Sequence, residues 1–348
     1  MGRGYLTWRI VLGVAPMITL VVAELAGAAV TSSGLVTPAP VAPINPSAEL
    51  RIGVGSNPDT VDPRASVIVD DGSLLDYDQA LVGYDDGFFG RMIVSNPGTF
   101  VRLRDGGANS DAALEVGRRG NGYFSLTDGA TLWLTSTSGD IVIGSDVGSI
   151  GTMEVDGDST FVTLEEDIVV GDAGSGTLAI SGGALVRTTD SDSVISIGQQ
   201  ATGSGLLNVE GPLTTFHLGH DLTVGDLGIG EMVISNGALV DADNTATAQA
   251  TVGALGKIRL SGGTLDVRDV KVNVGATGVL EVDAGELLDF HNAVSNVGAI
   301  TLDEGEIRFL DTMANGVGGR VTLEDGVIRF GQARTNDGVL PSGGGGNN

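Results

Sequence analysis

VGDAGSGTLAISGGALVRTTDSDSVIS, residues 170–196, reads as one complete unit. It opens on Val170-Gly171, alternates apolar and polar residues, breaks at Gly182-Gly183 and alternates again. Ile197-Gly198 then begins a similar unit. The aliphatic-Gly step recurs at Val82-Gly83, Val116-Gly117, Ile143-Gly144, Val170-Gly171, Ile197-Gly198, Val224-Gly225, Val252-Gly253, Val274-Gly275 and Val297-Gly298. Successive glycines are 34, 27, 27, 27, 27, 28, 22 and 23 residues apart. Repetition on this scale marks a stacked-repeat architecture.

A second marker lies inside each unit: Asp128-Gly129, Asp156-Gly157, Ser181-Gly182-Gly183, Asn236-Gly237, Ser261-Gly262-Gly263 and Asp325-Gly326. These are turn sequences. Between the markers the period is two, as in Thr177-Leu178-Ala179-Ile180 and Lys257-Ile258-Arg259-Leu260. Period two with branched aliphatic residues means strands. A unit of about three short strands cannot bury its own apolar face, but a stack can. The repeat predicts an all-β, right-handed, single-stranded parallel β-helix over residues 51–331, with about eleven coils of mostly 22–28 residues. At about 4.8 Å per coil the rod is on the order of 50 Å long. A β-sandwich is the alternative, although its strands would not keep a fixed period.

Composition sets the limits on function. The formal net charge is −26, from 44 acidic and 18 basic residues. Such a polyanion is repelled by nucleic acid and by anionic membranes. There is no cysteine, so disulfides and thiolate chemistry are excluded. Arg3 and Arg9, the apolar run after them and Ala26-Gly27-Ala28 have the three-part pattern of an export signal, expected over residues 1–28. An uncleaved anchor is the competing reading, and Pro16 and Glu24 weigh against it. TPAPVAPINP lies in an expected Pro-rich linker, residues 29–50, and residues 332–348 read as a Gly-rich disordered tail. The expected location is extracellular or the outer cell surface, with no stable membrane insertion after signal cleavage.

The units at 170–195, 224–251 and 252–273 resemble the glycine-rich repeats of autotransporter-type passenger regions and other secreted bacterial β-helix proteins. The phrases V-G-x-x-G-x-G and I-S-G-G-A-L carry the likeness, which covers roughly residues 80–330. No run of membrane-barrel strands follows, which departs from autotransporters. The resemblance implies a secreted or surface-displayed solenoid with a structural or adhesive role.

Searching for chemistry means searching columns, because residues 27 apart are expected to stack. Trp133 then falls over Thr160, Arg187, Thr214 and Asp241, which assembles no acid-base pair. No Ser-His-Asp constellation or phosphate-binding loop is visible. The expected protein is therefore not an enzyme, and the alternative is a polysaccharide-binding or polysaccharide-degrading β-helix. Glu165, Glu166, Asp190, Asp192, His217 and His220 form an expected flank patch that suits Ca²⁺ or, at the two histidines, zinc; a solvated loop edge is the simpler reading. Aromatic residues crowd the first coils. They suit an N-terminal cap or, at Tyr123, Phe124 and Trp133, a sugar-stacking platform. The expected partners are a surface glycan, a host or cell-surface ligand, or a second copy stacked through the solenoid ends.

Overall fold

The computed structural model describes residues 20–25, 28–33, 36–37, 49–54, 64–104, 112–135, 139–242, 248–267, 271–283, 286–331 and 334–340. Most of the expected export signal, much of the expected linker and residues 341–348 lie outside the described residues. The described residues hold strands and turns and no helix.

The chain winds as a parallel β-solenoid with three sides. Sheets A and B have thirteen strands each, and sheet C has eight. Each strand of a sheet comes from the next turn of the chain, so neighbours pair in parallel. Eight turns contribute a strand to sheet C, and three later turns close the third side with a separate three-stranded sheet. The regular three-sided stack is thus about eight turns long, somewhat fewer than the eleven coils expected.

The solenoid extends past the expected boundaries at both ends. At the start, Leu20–Leu25 pairs antiparallel with Ala28–Ser33, which pairs antiparallel with Arg64–Asp70. These strands reach back into the stretches read as signal and linker. They also place antiparallel strands, rather than an aromatic layer, at that end of sheet A. At the other end, Arg334–Asn336 pairs with Met313–Asn315, inside the stretch expected to be a tail.

The apolar-polar alternation sends every second side chain inward. One column of sheet A runs Val67, Met92, Phe124, Met153, Leu178, Leu207 and Met232, all buried. On sheet B, Ile52, Val82, Val116, Ile143, Val170, Ile197, Val224, Val252 and Val274 stack in the same way. Each buried aliphatic side chain contributes about 1.5–3 kcal/mol. Stacking side chain on side chain makes one continuous core.

The 27-residue rule holds on one side only. Ile143, Val170, Ile197 and Val224 on sheet B are 27 apart and stack. On sheet A the offset is 29 from Asn121 to Ile150 and 25 from Ile150 to Ser175. On sheet C it is 30 from Thr131 to Phe161 and 24 from Phe161 to Leu185. Thus Ile180 stands on Val209, and Leu207 on Leu178.

Corners that alternate in length cause this. The link from sheet B to sheet A runs through residues 144–149, then the shorter 171–174, then 198–203, then 225–228. The link from sheet C to sheet B alternates in opposite phase: 165–167 is short, 189–193 long and 219–220 short again. A hydrogen bond locks the phase between sheets A and C. Thr160, in a long corner, accepts the Gly129 amide of the short corner one turn earlier at 3.0 Å. Thr99 takes Gly72, and Thr214 takes Gly183, each at 3.0 Å. All three threonines are buried, so each bond gives a buried hydroxyl oxygen its partner.

Candidate functional site

Sheet C presents the surface that stands out. In Thr131–Leu134, Leu132 and Leu134 point into the core while Thr131 and Trp133 point outward. Phe100–Leu103 and Phe161–Leu164 flank this strand with the same alternation. Trp133 is therefore set diagonally between Phe100 and Phe161. It meets Phe100 edge to face, with ring centroids 6.1 Å apart at 85°. Trp133 is 42% exposed and Phe161 41%.

The column through Trp133 differs from the expected one. It runs Asp76, Arg102, Trp133, Thr163, Arg187, His217, Asp241. Thr160 and Thr214 are instead buried in corners. From Phe100–Leu103 to Thr215–Leu218 the outward positions of five successive strands are Phe100, Arg102, Thr131, Trp133, Phe161, Thr163, Leu185, Arg187, Thr215 and His217. None is a carboxylate, although the chain has 44 Asp and Glu.

Charge on this face is organised from its lower end. Arg102 and Arg104 both hydrogen-bond the carboxylate of Asp76, with Arg104 Nε at 2.7 Å from Oδ1. Burial pushes the Asp76 carboxyl up, but the two guanidiniums outweigh it and hold its pKa at about 2. Asp78 adds its negative charge beside Arg104, so this end of the face is close to balanced. Arg187, three strands on, donates from Nε to Thr163 Oγ1 at 3.3 Å, and among the described residues it has no ion pair. His217 Nδ1 lies 3.2 Å from Asp241 Oδ2.

The expected sugar platform is corrected in two respects. Phe124 is 0% exposed, packed inward between Met92 and Met153. Tyr123 points outward from sheet A, a different side from Trp133, where its hydroxyl hydrogen-bonds Glu154 and the Arg91 guanidinium sits 5.5 Å over its ring. Trp133 alone of the three belongs to the sheet C face. Phe161 and Arg187 complete that face; Arg187 lay in the expected column, because two turns together restore a spacing of 54, whereas Phe161 was missed because the assumed spacing of 27 puts Thr160 beside Trp133. The signal was there in the parity of FVTL, which turns Phe161 outward once Val162 is placed inside.

The six residues of the expected flank patch are divided. Glu166 joins Asp140 and Asp167, each offering an oxygen within 4.8 Å of the others. Burial first, then the charges of Asp167, Asp190, Asp192 and Glu165, raise the Glu166 carboxyl above its ordinary value. Burial likewise raises Asp167, against the hydrogen bond from the Val194 amide. Asp190 is held below its ordinary value by hydrogen bonds with Asp192 and the Ser191 amide. His217 turns to Asp241, and His220 pairs with Asp221 at 2.9 Å. Several of these acids do structural work. Asp140 Oδ1 accepts the Asp167 amide at 3.2 Å, Asp167 Oδ1 the Val194 amide at 2.6 Å and Asp221 Oδ1 the Gln249 amide at 2.8 Å. Each closes the start of the next turn.

Comparison with protein-family models, with curated proteins and with solved structures gives no match for this chain.

Proposed function

We propose that this protein is a secreted or cell-surface solenoid with a structural and adhesive role, and that it makes contact through the outward face of sheet C. The observation that carries the reading is the aromatic strip of Phe100, Trp133 and Phe161, free of carboxylates over five turns of a strongly acidic rod. Half-exposed aromatic rings cost solubility, and a face that keeps them fits contact with another surface. Elsewhere the acidic surface keeps rods apart. The backbone ladders are continuous along the axis, which suits a stiff spacer that holds this face away from a cell. The likeness of the repeats to autotransporter passenger regions supports the same reading.

The test is adhesion. Cells producing the full chain are compared with cells producing the Trp133→Ala/Phe161→Ala variant, on immobilised glycans and on other cells. Several-fold weaker adhesion by the variant, at equal surface amount and equal melting temperature, is the expected result. Equal adhesion by the two chains refutes the assignment of the face.

A further inference from the structure

We infer that the sheet C face around Trp133, Phe161 and Arg187 binds a linear carboxylated polysaccharide; this deepens the adhesive reading above and rests on it. Three features of the face select this chemistry. Trp133 and Phe161 offer exposed ring surface, which stacks on the apolar faces of pyranose rings. Thr131, Thr163, Thr215 and His217 place hydroxyls and an imidazole around the rings, suited to a hydroxyl-rich ligand. Arg187 presents a guanidinium that no carboxylate of the described protein bridges, and a guanidinium binds a carboxylate through two parallel hydrogen bonds.

The electrostatic setting narrows the choice further. Arg102 and Arg187 stand three strand spacings apart, about 14 Å along the axis, with Trp133 between them. A polymer running along the axis meets the Arg187 guanidinium at one end of the aromatic strip and the Asp76-paired Arg102 at the other. A neutral glycan would gain nothing from the missing carboxylates. A nucleic acid carries a phosphate at every step, so most of its length would face the repulsion of a chain with net charge −26. A polysaccharide with spaced carboxylates can place one at Arg187 and lay uncharged ring over Phe161 and Trp133.

The sequence has two tryptophans, Trp8 and Trp133, so Trp8→Phe in the full chain makes Trp133 the sole indole reporter. This chain is titrated with hyaluronan and unsulfated chondroitin hexasaccharides, whose carboxylates lie on alternate sugars, with cellohexaose as the neutral counterpart and an oligothymidylate as the nucleic acid. At least one carboxylated hexasaccharide is expected to shift Trp133 emission saturably, to bind about tenfold or more tighter than cellohexaose, and to weaken as salt is raised. Arg187→Gln, which leaves the exposed site uncharged, is expected to cut that affinity about tenfold while leaving the melting temperature in place. The inference is overturned if no carboxylated hexasaccharide perturbs Trp133, if cellohexaose or oligothymidylate binds as tightly, or if Arg187→Gln binds like the parent. Should these titrations fail while Trp133→Ala/Phe161→Ala still abolishes cell adhesion, the ligand class is wrong and the adhesive reading stands.

Discussion

Asn296 donates from Nδ2 to Oδ1 of Asn315 at 2.8 Å, in a column that valine and isoleucine fill at every turn from Ile52 to Val274. Asn315 passes the same bond on to Asn336 at 2.8 Å. The change of residue type follows a change of corner. Only Val297 and Gly298 separate Asn296 from the strand Ala299–Leu302, and Asn296 Oδ1 accepts the Gly298 amide at 3.1 Å. Valine there would restore the upstream pattern yet strand a buried amide. Asn296→Val is expected to cost about 2–4 kcal/mol, from two lost buried hydrogen bonds, measured by urea unfolding. A neutral result would show that the amide ladder carries no stability.

Gly171 shows what the Val-Gly signature enforces. Its φ is +72°, and a Cβ there would stand 2.3 Å from the Ser204 carbonyl oxygen of the next turn. Gly148 has a similar φ of +82° with nothing near the missing Cβ. Gly148→Ala is expected to cost about 1–2 kcal/mol from backbone conformation alone. Gly171→Ala adds a clash with backbone and is expected to cost at least about 3 kcal/mol. Equal losses in thermal or urea melts would mean that the turns can slide apart to relieve the contact.

Thr160 tests the coupling between corners. Its hydroxyl donates to the Asp156 carbonyl at 2.8 Å and accepts the Gly129 amide. Thr160→Val keeps the shape and removes both bonds at a buried site. A loss of about 1–3 kcal/mol is expected, with Gly129 amide exchange accelerated in hydrogen-exchange measurements. Unchanged protection at Gly129 would deny the threonine its locking role.

Acid titration has two opposing parts. Asp76 is depressed to about 2 from 3.8, so it contributes stability above 3.8 that is lost as pH falls toward 2. The full shift is worth about 2 kcal/mol. Glu166, Asp167 and Asp172 are raised, chiefly by burial. Their charged forms destabilise the fold above those raised values, and protonation relieves this as pH falls. Protonation also reduces the repulsion of a net charge of −26. The melting temperature is therefore expected to rise from pH 7 into the mildly acidic range, then fall below about pH 4 as Asp76 releases Arg102 and Arg104. In Asp76→Asn the low-pH fall should shrink. A steady decline from neutral pH would contradict the scheme.

The three-sided stack was legible because Val-Gly corners leave no freedom: the glycine is required at Gly171 and its equivalents, so the spacing between them survives in the sequence. Sheet B follows directly from it. The contents of the other columns were not legible from a fixed period, since corners trade residues between the sides of a turn. Thr160 illustrates the failure. It lies 27 residues from Trp133, yet Thr163 is the residue that stacks there and Thr160 caps Gly129. Burial of Phe124 was readable from parity within Asn121–Thr127, because Leu126 and Phe124 share a face. The division of the expected patch was not, since His217 turns to Asp241 and His220 to Asp221 and no residue type announces that.

Between Val82 and Ile229, alternating corner lengths give the rod a grain coarser than its turns. Like loops at one corner recur every second turn, about 10 Å apart, and Asn121 and Ser175, or Thr131 and Leu185, are 54 residues apart in equivalent settings. Excising one turn from this stretch would put its remaining loops out of step with those before the cut; excising two would keep the rhythm. Evolution or engineering that changes the length of this molecule while preserving its surface pattern has to count in twos.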